Sequence, residues 1–443
     1  IPEDHLLLPP VQWNSGQHLR RKKTVGTRPG SVCGRSRLMG DRRIPDGWKE
    51  CKLGEVAEIN RNSIDNEYSQ NKILYLDTSS ITRGKVDCYQ ELLLSDAPSR
   101  AKRLVKDKDI IYSTVRPIQR HYGIIKNPPQ NLVVSTGFAV IEINQKKADS
   151  FFIYYFLTSD EIVEYLDIIA EASTSAYPSL RPADIESLDI LLPPLSEQRA
   201  IASVLSSLDD KIDLLNRENQ TLEHMAEAIF RQWFIEEADE KWEECILNDL
   251  CIQIASGGTP STKIEAYYNG DINWYSTKEL NDNFLYESEN KITKTGLNNS
   301  SAKLFPAGTV VIAIYAAPTV GRLGILANEA SFNQAACGLI ANEKLCCSEF
   351  IYLYLKNQRN ELNSMASGSA QQNLNVGKIK SYPTFKVPKN LMDKFKEVIQ
   401  PIFEKIKLNR FQIRTLEKLR DTLLPKLMSG EVRVKFTDFE VQK

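Results

Sequence analysis

Two short stretches contain side chains of the kind that could do chemistry. Asn127-Pro-Pro-Gln130 differs by one residue from the Asn-Pro-Pro-aromatic motif with which some amino-methyltransferases hold a flipped base. The fourth residue here is Gln and no Gly-rich cofactor loop precedes it, so we interpret the stretch as a turn. Asp46 and Glu50 stand too close together in the sequence to serve a nuclease metal site built on two strands. Neither stretch predicts catalysis.

The composition disfavours catalytic triads, metal sites, nucleotide sites and membrane spans. The chain has four histidines, too few for a visible triad or metal cluster, and it lacks the Gly-rich Lys-Ser/Thr loop that binds nucleotide phosphates. Its eight cysteines include no Cys-x-x-Cys pair, so we expect neither zinc nor a disulfide framework, and a reducing cytoplasm fits best. No apolar run approaches the ~18 residues of a membrane span, so we expect no membrane partner.

One segment has the chemistry for binding phosphate. Residues 99–126 contain eight Lys or Arg and two Asp, a local charge of +6 in a chain of net charge −1. The cations are Arg100, Lys102, Arg103, Lys106, Lys108, Arg116, Arg120 and Lys126. A solvated loop explains such runs more often than a binding site does, so both interpretations stay open at this point.

The elements that must position these residues occur in two copies. Trp48-Lys-Glu-Cys-Lys-Leu53 returns 194 residues later as Trp242-Glu-Glu-Cys-Ile-Leu247. Around Pro117 and Pro318 the offset is 201, which indicates loop insertions inside one shared fold. Each copy has short β-branched runs broken by Gly and Pro, then a shorter helical stretch. The period is too long for a solenoid unit and indicates a duplicated domain with its following helix.

Each copy ends in a long helix with a coiled-coil pattern. From Leu205 and from Ile399, mostly apolar residues recur at 3-4 spacing over four heptads. Each seam contains one Asn, Asn219 or Asn409, a residue type that fixes register at some cost in stability. Residues 197–231 carry a charge of −3 and residues 394–426 a charge of +5. We therefore predict that the two helices pair with each other; the alternative is two ordinary solvated faces.

Paired helices of this length would hold the two copies apart. A helix of about 36 residues spans roughly 54 Å. That is on the order of one to one and a half turns of DNA, at about 34 Å per turn. If both copies read DNA, the recognised site has two parts with an unread gap between them.

Four motifs resemble one known family. They are Ile44-Pro-Asp-Gly-Trp48 with Lys52-Leu-Gly-Glu-Val56, Leu192-Pro-Pro-Leu-Ser-Glu-Gln-Arg-Ala-Ile201, Ser256-Gly-Gly-Thr-Pro-Ser261 with Asn273-Trp-Tyr-Ser276, and Leu423-Leu-Pro-Lys-Leu-Met-Ser-Gly-Glu431. Together they resemble the specificity subunit of type I restriction–modification enzymes over roughly residues 44–434. The first copy departs from the pattern, since Ile59-Asn-Arg-Asn-Ser63 stands where the second has Gly-Gly-Thr-Pro. The two copies are therefore expected to recognise different half-sites.

The resemblance implies a fold and a set of partners. The fold is α+β, with two mixed α/β target-recognition domains separated by two long antiparallel coiled-coil helices, a pseudo-two-fold axis and chain ends that approach each other. The partners are double-stranded DNA, two modification (methyltransferase) subunits and restriction subunits that can add to them. S-adenosylmethionine, ATP and magnesium would belong to those partners, and this chain would hold no cofactor or metal and catalyse nothing.

The corresponding domain boundaries follow the repeat. We place a disordered or non-native extension at 1–43, with Met39 as the natural start, although a basic arm on the DNA backbone is the alternative. The remaining boundaries are 44–195 for the first target-recognition domain, 196–237 for the central helix, 238–388 for the second domain, 389–432 for the C-terminal helix and 433–443 for a tail.

Candidate DNA-reading residues are polar or basic and lie in loops of each copy. Base readout needs paired donors and acceptors, and backbone binding needs Lys and Arg. In the first copy they are Arg100, Lys102, Arg103, Ser113, Thr114, Arg116, Arg120, His121, Ser173, Thr174 and Tyr177; in the second, Thr259, Ser261, Lys263, Tyr315, Arg322, Ser369, Gln371 and Gln372. For any one of them, a solvated turn is about as good an interpretation.

Two other functions stay open from the sequence. One is a methyltransferase that acts alone, which the missing cofactor loop disfavours. The other is a coiled-coil adaptor without DNA specificity, which competition with random duplexes would distinguish from a sequence reader.

Overall fold

The computed structural model describes residues 44–65, 67–173, 178–315, 318–367 and 374–434. The predicted extension 1–43 lies outside the described residues. The chain from Pro45 onward forms one compact unit. Within the described ranges, no helix is both long enough and apolar enough to cross a membrane.

The first copy consists of short strands followed by helices. Its strands are β1 (Lys49–Lys52), β2 (Ala57–Ile59), β3 (Lys72–Leu76), β4 (Ile81–Thr82), β5 (Lys85–Val86), β6 (Gln90–Leu93), β7 (Ala101–Leu104), β8 (Ile110–Ser113), β9 (Tyr122–Ile124), β10 (Leu132–Ser135), β11 (Phe138–Ile143) and β12 (Asp189–Leu192). Its helices are α1 (Ser150–Thr158), α2 (Asp160–Glu171), α3 (Pro182–Glu186) and the long α4 (Leu195–Arg231).

The second copy has a similar order, with two short helices among its strands. Its strands are β13 (Glu243–Ile246), β14 (Cys251–Ser256), β15 (Tyr268–Tyr275), β16 (Asn283–Leu285), β17 (Asn290–Ile292), β18 (Val310–Ala313), β19 (Leu323–Leu326), β20 (Ser331–Phe332), β21 (Ala336–Ala341) and β22 (Pro383–Lys386). Its helices are α5 (Leu247–Leu250), α6 (Lys294–Asn298), α7 (Ser348–Asn357), α8 (Arg359–Ser367), α9 (Val376–Lys380) and the long α10 (Lys389–Met428).

The sheets of the two copies correspond. Strand order β2-β11-β8-β9 in the first copy matches β14-β21-β18-β19-β16 in the second, and β6-β3-β10-β7 matches β17-β15-β20. The strand that opens each copy pairs antiparallel with the strand before its long helix, β1 with β12 and β13 with β22. The internal duplication predicted from the sequence is thus a duplication of fold.

Helices α4 and α10 pack side by side and run antiparallel, as predicted. Lys405 pairs with Glu218 and Arg420 with Asp209, so partner numbers on α4 fall as numbers on α10 rise. The apolar seam contains Ile212, Leu215 and Ile413, with Leu416 packed against them. α4 begins directly after Pro194, whose missing N–H and fixed φ suit a helix start.

The two seam asparagines meet. Asn219 and Asn409 are both 0 % exposed, and Asn409 Nδ2 donates to Asn219 Oδ1 at 2.9 Å. The same amide also donates to Glu218 Oε2 at 2.9 Å. A buried amide needs hydrogen-bond partners, so this pair fixes one alignment of the helices.

The second copy is packed onto the ends of both long helices. Phe234, in the π-helical turn Gln232–Glu236 that continues α4, contacts Phe350 of α7 at a ring-centroid distance of 5.0 Å and Phe395 of α10 at 4.8 Å. All three rings are buried. Burial of large aromatic rings contributes strongly to stability, so this copy and the helix pair form one core.

The two ends of the repeated part of the chain meet, as the duplication predicts. Glu197 near the start of α4 is 2 % exposed and accepts hydrogen bonds from Arg433 Nε and Nη2 at 2.5 and 2.8 Å. Trp48 Nε1 donates to the same carboxylate at 3.3 Å. A buried charge is tolerated only with such partners, so the contact ties the chain end to the first copy.

We predict that Asp209 stabilises the helix pair. Its carboxylate accepts from Arg420 Nη1 at 2.9 Å and from the buried Tyr155 hydroxyl at 2.7 Å. Asp209→Ala should lower the free energy of unfolding by about 1–3 kcal/mol, because both donors lose their acceptor. Asp213→Ala removes an exposed carboxylate that pairs with Arg217 on the same helix, and should cost about 0.5 kcal/mol or less. Equal losses in denaturant unfolding would contradict the assignment.

Candidate nucleic-acid interface

In the first copy, a polar site lies at the carboxyl ends of two neighbouring parallel strands. β3 and β10 pair in parallel, with Val134 opposite Leu76, so the residues that follow them share one edge of the sheet. Asp77 follows β3 and Thr136 follows β10. Arg100 connects the two: its carbonyl accepts from Thr136 N at 2.8 Å and its Nη2 donates to Asp77 Oδ2 at 2.9 Å.

The loop of Arg116 lies at the same edge. Thr114 donates to the Gly137 carbonyl through both its backbone N and its Oγ1, each at 2.9 Å. Arg116 is exposed and has φ +46°, a left-handed conformation that costs a non-glycine residue about 1–3 kcal/mol. Its backbone N donates to the Pro178 carbonyl at 3.3 Å. This strain at an exposed arginine is our reason to test Arg116 for a functional role.

The basic segment 99–126 is largely neutralised in the structure. Four of its cations bind carboxylates from other parts of the chain, namely Arg100 with Asp77, Lys106 with Glu142, Arg120 with Asp160 and Lys126 with Asp210. The local count of +6 overstated the charge of the surface because these carboxylates lie outside the segment. Lys102, Lys108 and Arg116 are exposed.

Arg103, Asp109 and Arg120 serve the interior more than the surface. Burial lowers the pKa of Arg103, which donates to Ser63 Oγ at 3.3 Å. Burial raises the pKa of Asp109 to about 6. The Arg120 side chain is 18 % exposed, and its backbone has φ +59° where the second copy has Gly321 at φ +80°. An arginine in a glycine-type conformation is explained here by its ion pair with Asp160.

Ser113 and His121 lie behind the loop rather than on it. Ser113, which we predicted as a DNA-reading residue in a loop, ends β8, is 2 % exposed and donates through its hydroxyl to the Val115 carbonyl at 3.0 Å, so its side chain does not reach the surface. Nδ1 of His121 lies 2.6 Å from the Ile81 carbonyl oxygen, which ties the ring to the β4–β5 hairpin. Ser173 Oγ accepts from Ser179 N at 3.3 Å. Thr174 and Tyr177 lie outside the described residues.

The second copy builds the corresponding site from different side chains. β15 and β20 are parallel, with Tyr275 opposite Phe332, and Gln334 lies in the turn after β20. The Thr259 hydroxyl donates to Gln334 Oε1, and Tyr315 N donates to the Ala335 carbonyl at 3.3 Å. The side chains of Thr259 and Gln334 and the backbone of Tyr315 thus meet around one turn.

The Gly-Gly of the Gly-Gly-Thr-Pro element is required by close backbone approach. A Cβ on Gly257 would lie 2.0 Å from the Phe332 carbonyl oxygen, and one on Gly258 would lie 2.1 Å from the Ser301 carbonyl oxygen. Only glycine lets the chain pass between these two backbones. The element therefore positions Thr259 beside the turn.

The other residues predicted in the second copy are dispersed. Ser261 and Lys263 are exposed in the loop that follows Thr259. Arg322 is half-buried, and its backbone N donates to the Thr319 carbonyl at 3.0 Å. Ser369, Gln371 and Gln372 lie outside the described residues.

Sequence reasoning missed residues at both strand ends. Thr136 and Gln334 are exposed at matching places in the two copies. In the first copy Thr78 lies beside Gly137, the residue after Thr136, since a Cβ on Gly137 would lie 2.9 Å from Thr78 Cγ2. Once the strand pairing is known the two sites share one feature, because β3, β10, β15 and β20 are each followed by a polar residue. The two sites contain hydroxyl, amide and guanidinium groups. Their donors and acceptors can pair with those that base edges present in a groove.

Comparison with known proteins identifies the chain. The sequence pattern of the type I restriction modification DNA specificity domain matches it twice, over residues 45–224 and 239–418. The chain belongs to this family. It is a specificity subunit of a type I restriction–modification system, and its role is DNA sequence recognition.

Two relatives of this specificity subunit match over nearly their whole length. The type I restriction enzyme HindI specificity subunit of Haemophilus influenzae is 27 % identical over 87 % of this chain and 99 % of its own length. The MjaIX specificity subunit of Methanocaldococcus jannaschii is also 27 % identical, over 88 % of this chain and 95 % of its own. The crystal structure of the type I restriction–modification S subunit from M. genitalium has the same fold, with TM-score 0.56, 15 % identity and coverage of 90 % and 98 %.

We predict that Arg116 of this specificity subunit contacts DNA. Arg116→Ala should weaken binding by about 1–3 kcal/mol if the side chain reads a guanine, or reduce the slope of affinity against salt by about 1 if it contacts a phosphate. Lys146→Ala removes the same charge beyond the opposite end of β11 and should leave both quantities unchanged. Fluorescence anisotropy across a salt series measures them. An Arg116→Ala protein with unaltered affinity and slope would rule the contact out.

A second prediction concerns Gly257. Gly257→Ala should destabilise the protein by about 1–3 kcal/mol through the clash with Phe332 and displace Thr259 from Gln334. Gly377→Ala is the matched control, because its nearest contact is a side-chain oxygen of Asn375 at 3.1 Å. Thermal unfolding of the two variants should differ clearly. Equal melting temperatures would mean that the loop at Gly257 can avoid the clash with Phe332 at no cost, which would contradict the prediction.

Proposed function

We propose that this specificity subunit reads a bipartite DNA site, one half with each target-recognition domain, and that its paired helices dock two modification subunits. Restriction subunits add to the complex through those partners. One observation carries the proposal: two corresponding polar sites are joined by one antiparallel helix pair. Helices of 37 and 40 residues have lengths of about 55 to 60 Å, enough to leave a gap between two half-sites.

The different side chains at the two sites support recognition of different half-sites. Arg100 held by Asp77 offers donors at the first strand edge. Gln334 held by Thr259 offers an amide at the second. Guanine and adenine present different patterns of hydrogen-bond donors and acceptors in the major groove. A guanidinium group and an amide group are therefore suited to different bases.

Exposed apolar residues on the long helices support the docking of two identical partners. Leu214 and Leu408 are 49 % and 50 % exposed, and they are 194 residues apart, the offset of the repeat. Met225 and Leu419 have the same relation and are 48 % and 44 % exposed. Within each helix the two residues are 11 positions apart, about three turns, so they lie on one stripe. Two equivalent stripes suit two copies of one partner.

We further propose that the chain itself catalyses nothing and holds no cofactor, so that S-adenosylmethionine, ATP and magnesium bind to the partner subunits. The Asn127-Pro-Pro-Gln130 stretch supports this as a turn: Asn127 has φ +47° and Leu132 N donates to the Pro129 carbonyl at 3.0 Å. Within the described residues, no group of three or more His, Cys, Asp or Glu could hold a metal ion. Calorimetric binding of S-adenosylmethionine by the isolated chain would favour the rival, a methyltransferase that acts alone.

We also place the complex in the cytoplasm, where its DNA substrate is. The cysteines of the described residues are free thiols, and Cys88 is exposed. Exposed free thiols suit a reducing compartment.

Mapping of methylated adenines across the host genome tests the proposal directly. We expect one motif made of two short, different half-sites separated by a fixed number of unspecified bases. Deletion of the gene for this chain should abolish methylation at that motif and leave other motifs unchanged. A continuous short motif would overturn the proposal, and binding to random duplexes without preference would favour an adaptor.

The two exposed apolar stripes, Leu214 with Met225 and Leu408 with Leu419, predict how many modification subunits each variant binds. Leu214→Asp or Leu408→Asp should each reduce the number of bound modification subunits from two to one, and the double variant should bind none, because a carboxylate is costly to bury in an apolar contact. Ile168→Asp is the control, since Ile168 is 66 % exposed on α2, away from the long helices. Native mass spectrometry counts the subunits. Retention of two modification subunits by the double variant would contradict the docking site.

A further inference from the structure

A polar pair in the helix seam breaks the pseudo-symmetry of the chain. The repeat relates each position of α4 to the position 194 residues later on α10, so Asn219 corresponds to Ile413 and Asn409 corresponds to Leu215. In the structure Asn219 is bonded to Asn409, while Leu215 and Ile413 lie together in the apolar cluster. Equivalent places in the seam therefore hold one amide pair and one apolar pair.

A second pair has the same property. Asp209 is bonded to Arg420 at 2.9 Å. Their counterparts on the other helix are Phe403 and Ala226, which are 5 % and 1 % exposed in the apolar core. A charged pair near one end of the helix pair thus corresponds to an apolar contact near the other end.

Because the helices are copies of each other, a different pairing is geometrically available to two molecules. In it, α4 would pack against α4 of a second chain and α10 against α10. Asn219 would then face the α4 counterpart of Asn409, which is Leu215. Asn409 would face the α10 counterpart of Asn219, which is Ile413. The hydrogen bond that joins the two buried amides would be lost, which is unfavourable.

The charged pair and the net charges act in the same direction. In the alternative pairing Asp209 would face Ala226 and Arg420 would face Phe403, so each would lose its partner. Residues 197–231 have a charge of −3 and residues 394–426 a charge of +5, so like helices would also repel each other.

We propose that the Asn219–Asn409 and Asp209–Arg420 pairs act as a pairing code. They allow α4 to pack against α10, and they prevent either helix from packing against the same helix of a second copy of this chain. One molecule then always presents its two different domains together. The code does not depend on what the domains recognise, so it can fail or hold independently of the proposed function.

The test uses two differently tagged full-length chains that are mixed, unfolded in denaturant and refolded together. The variant Asn219→Ile with Asn409→Leu replaces each asparagine by the residue at the equivalent position of the other helix, which is Ile413 for Asn219 and Leu215 for Asn409. We expect mixed-tag dimers to rise at least about tenfold over the wild type, which should stay monomeric. Cross-linking mass spectrometry of isotope-labelled mixtures should join α4 of one chain to α4 of the other.

Two control variants locate the effect. Ile212→Leu with Leu416→Ile repacks the seam but keeps the asparagine pair, and should stay monomeric. Asn219→Ile alone leaves Asn409 opposite an apolar side chain in both the native and the alternative pairing, and should have a lower melting temperature than the double variant. The proposal is overturned if the double variant forms no more dimer than the wild type, if its dimers join α4 to α10 of the other chain, or if the wild type shows α4–α4 cross-links.

Discussion

Burial of the seam between α4 and α10 is the interaction on which the rest of the structure depends. The apolar seam residues of each helix are unfavourable in water, and each helix is a copy of the other, so pairing buries both sets at once. The buried bond between Asn219 and Asn409 selects one alignment among those that the heptads allow. Everything that the domains present to DNA is therefore positioned by a contact that involves no DNA-reading residue.

The two strand-edge sites show how one fold supports two different readers. In both copies parallel strands bring their carboxyl ends to one edge, and the backbone hydrogen bonds at that edge correspond. The side chains do not correspond: the first copy has Arg100 bonded to Asp77, and the second has Gln334 bonded to Thr259. The framework fixes position and the side chains fix chemistry, so a change of half-site needs no change of fold.

The large features of the fold could be predicted from the sequence because they rest on periodicity. The heptads predicted the paired helices, and the repeat predicted the duplicated domain and the approach of its two ends, where Arg433 contacts Asp46 and Trp48. That Asn219 would lie opposite Asn409 was not predictable, because their heptad positions do not specify which residues meet across the pair. The confirmed resemblance to specificity subunits rested on motifs such as Leu192–Ile201 rather than on any property of composition.

The site was harder to predict than the fold, for a physical reason. Net charge along a segment ignores carboxylates that approach from elsewhere, and Asp77, Asp160 and Asp210 neutralise cations of the 99–126 segment. Burial of Ser113 likewise depends on the packing of β8 against its neighbours. Thr136 and Gln334 stand out only when the strand pairing is known.

Lengthening both helices by one heptad tests most directly whether the helix pair sets the distance between the readers. Seven residues inserted at matching levels of α4 and α10 extend the pair by about 10.5 Å, close to three base pairs at about 3.4 Å each. The account predicts a methylated motif with unchanged half-sites and a gap longer by about three bases. A gap of unchanged length in a folded, active complex would contradict it.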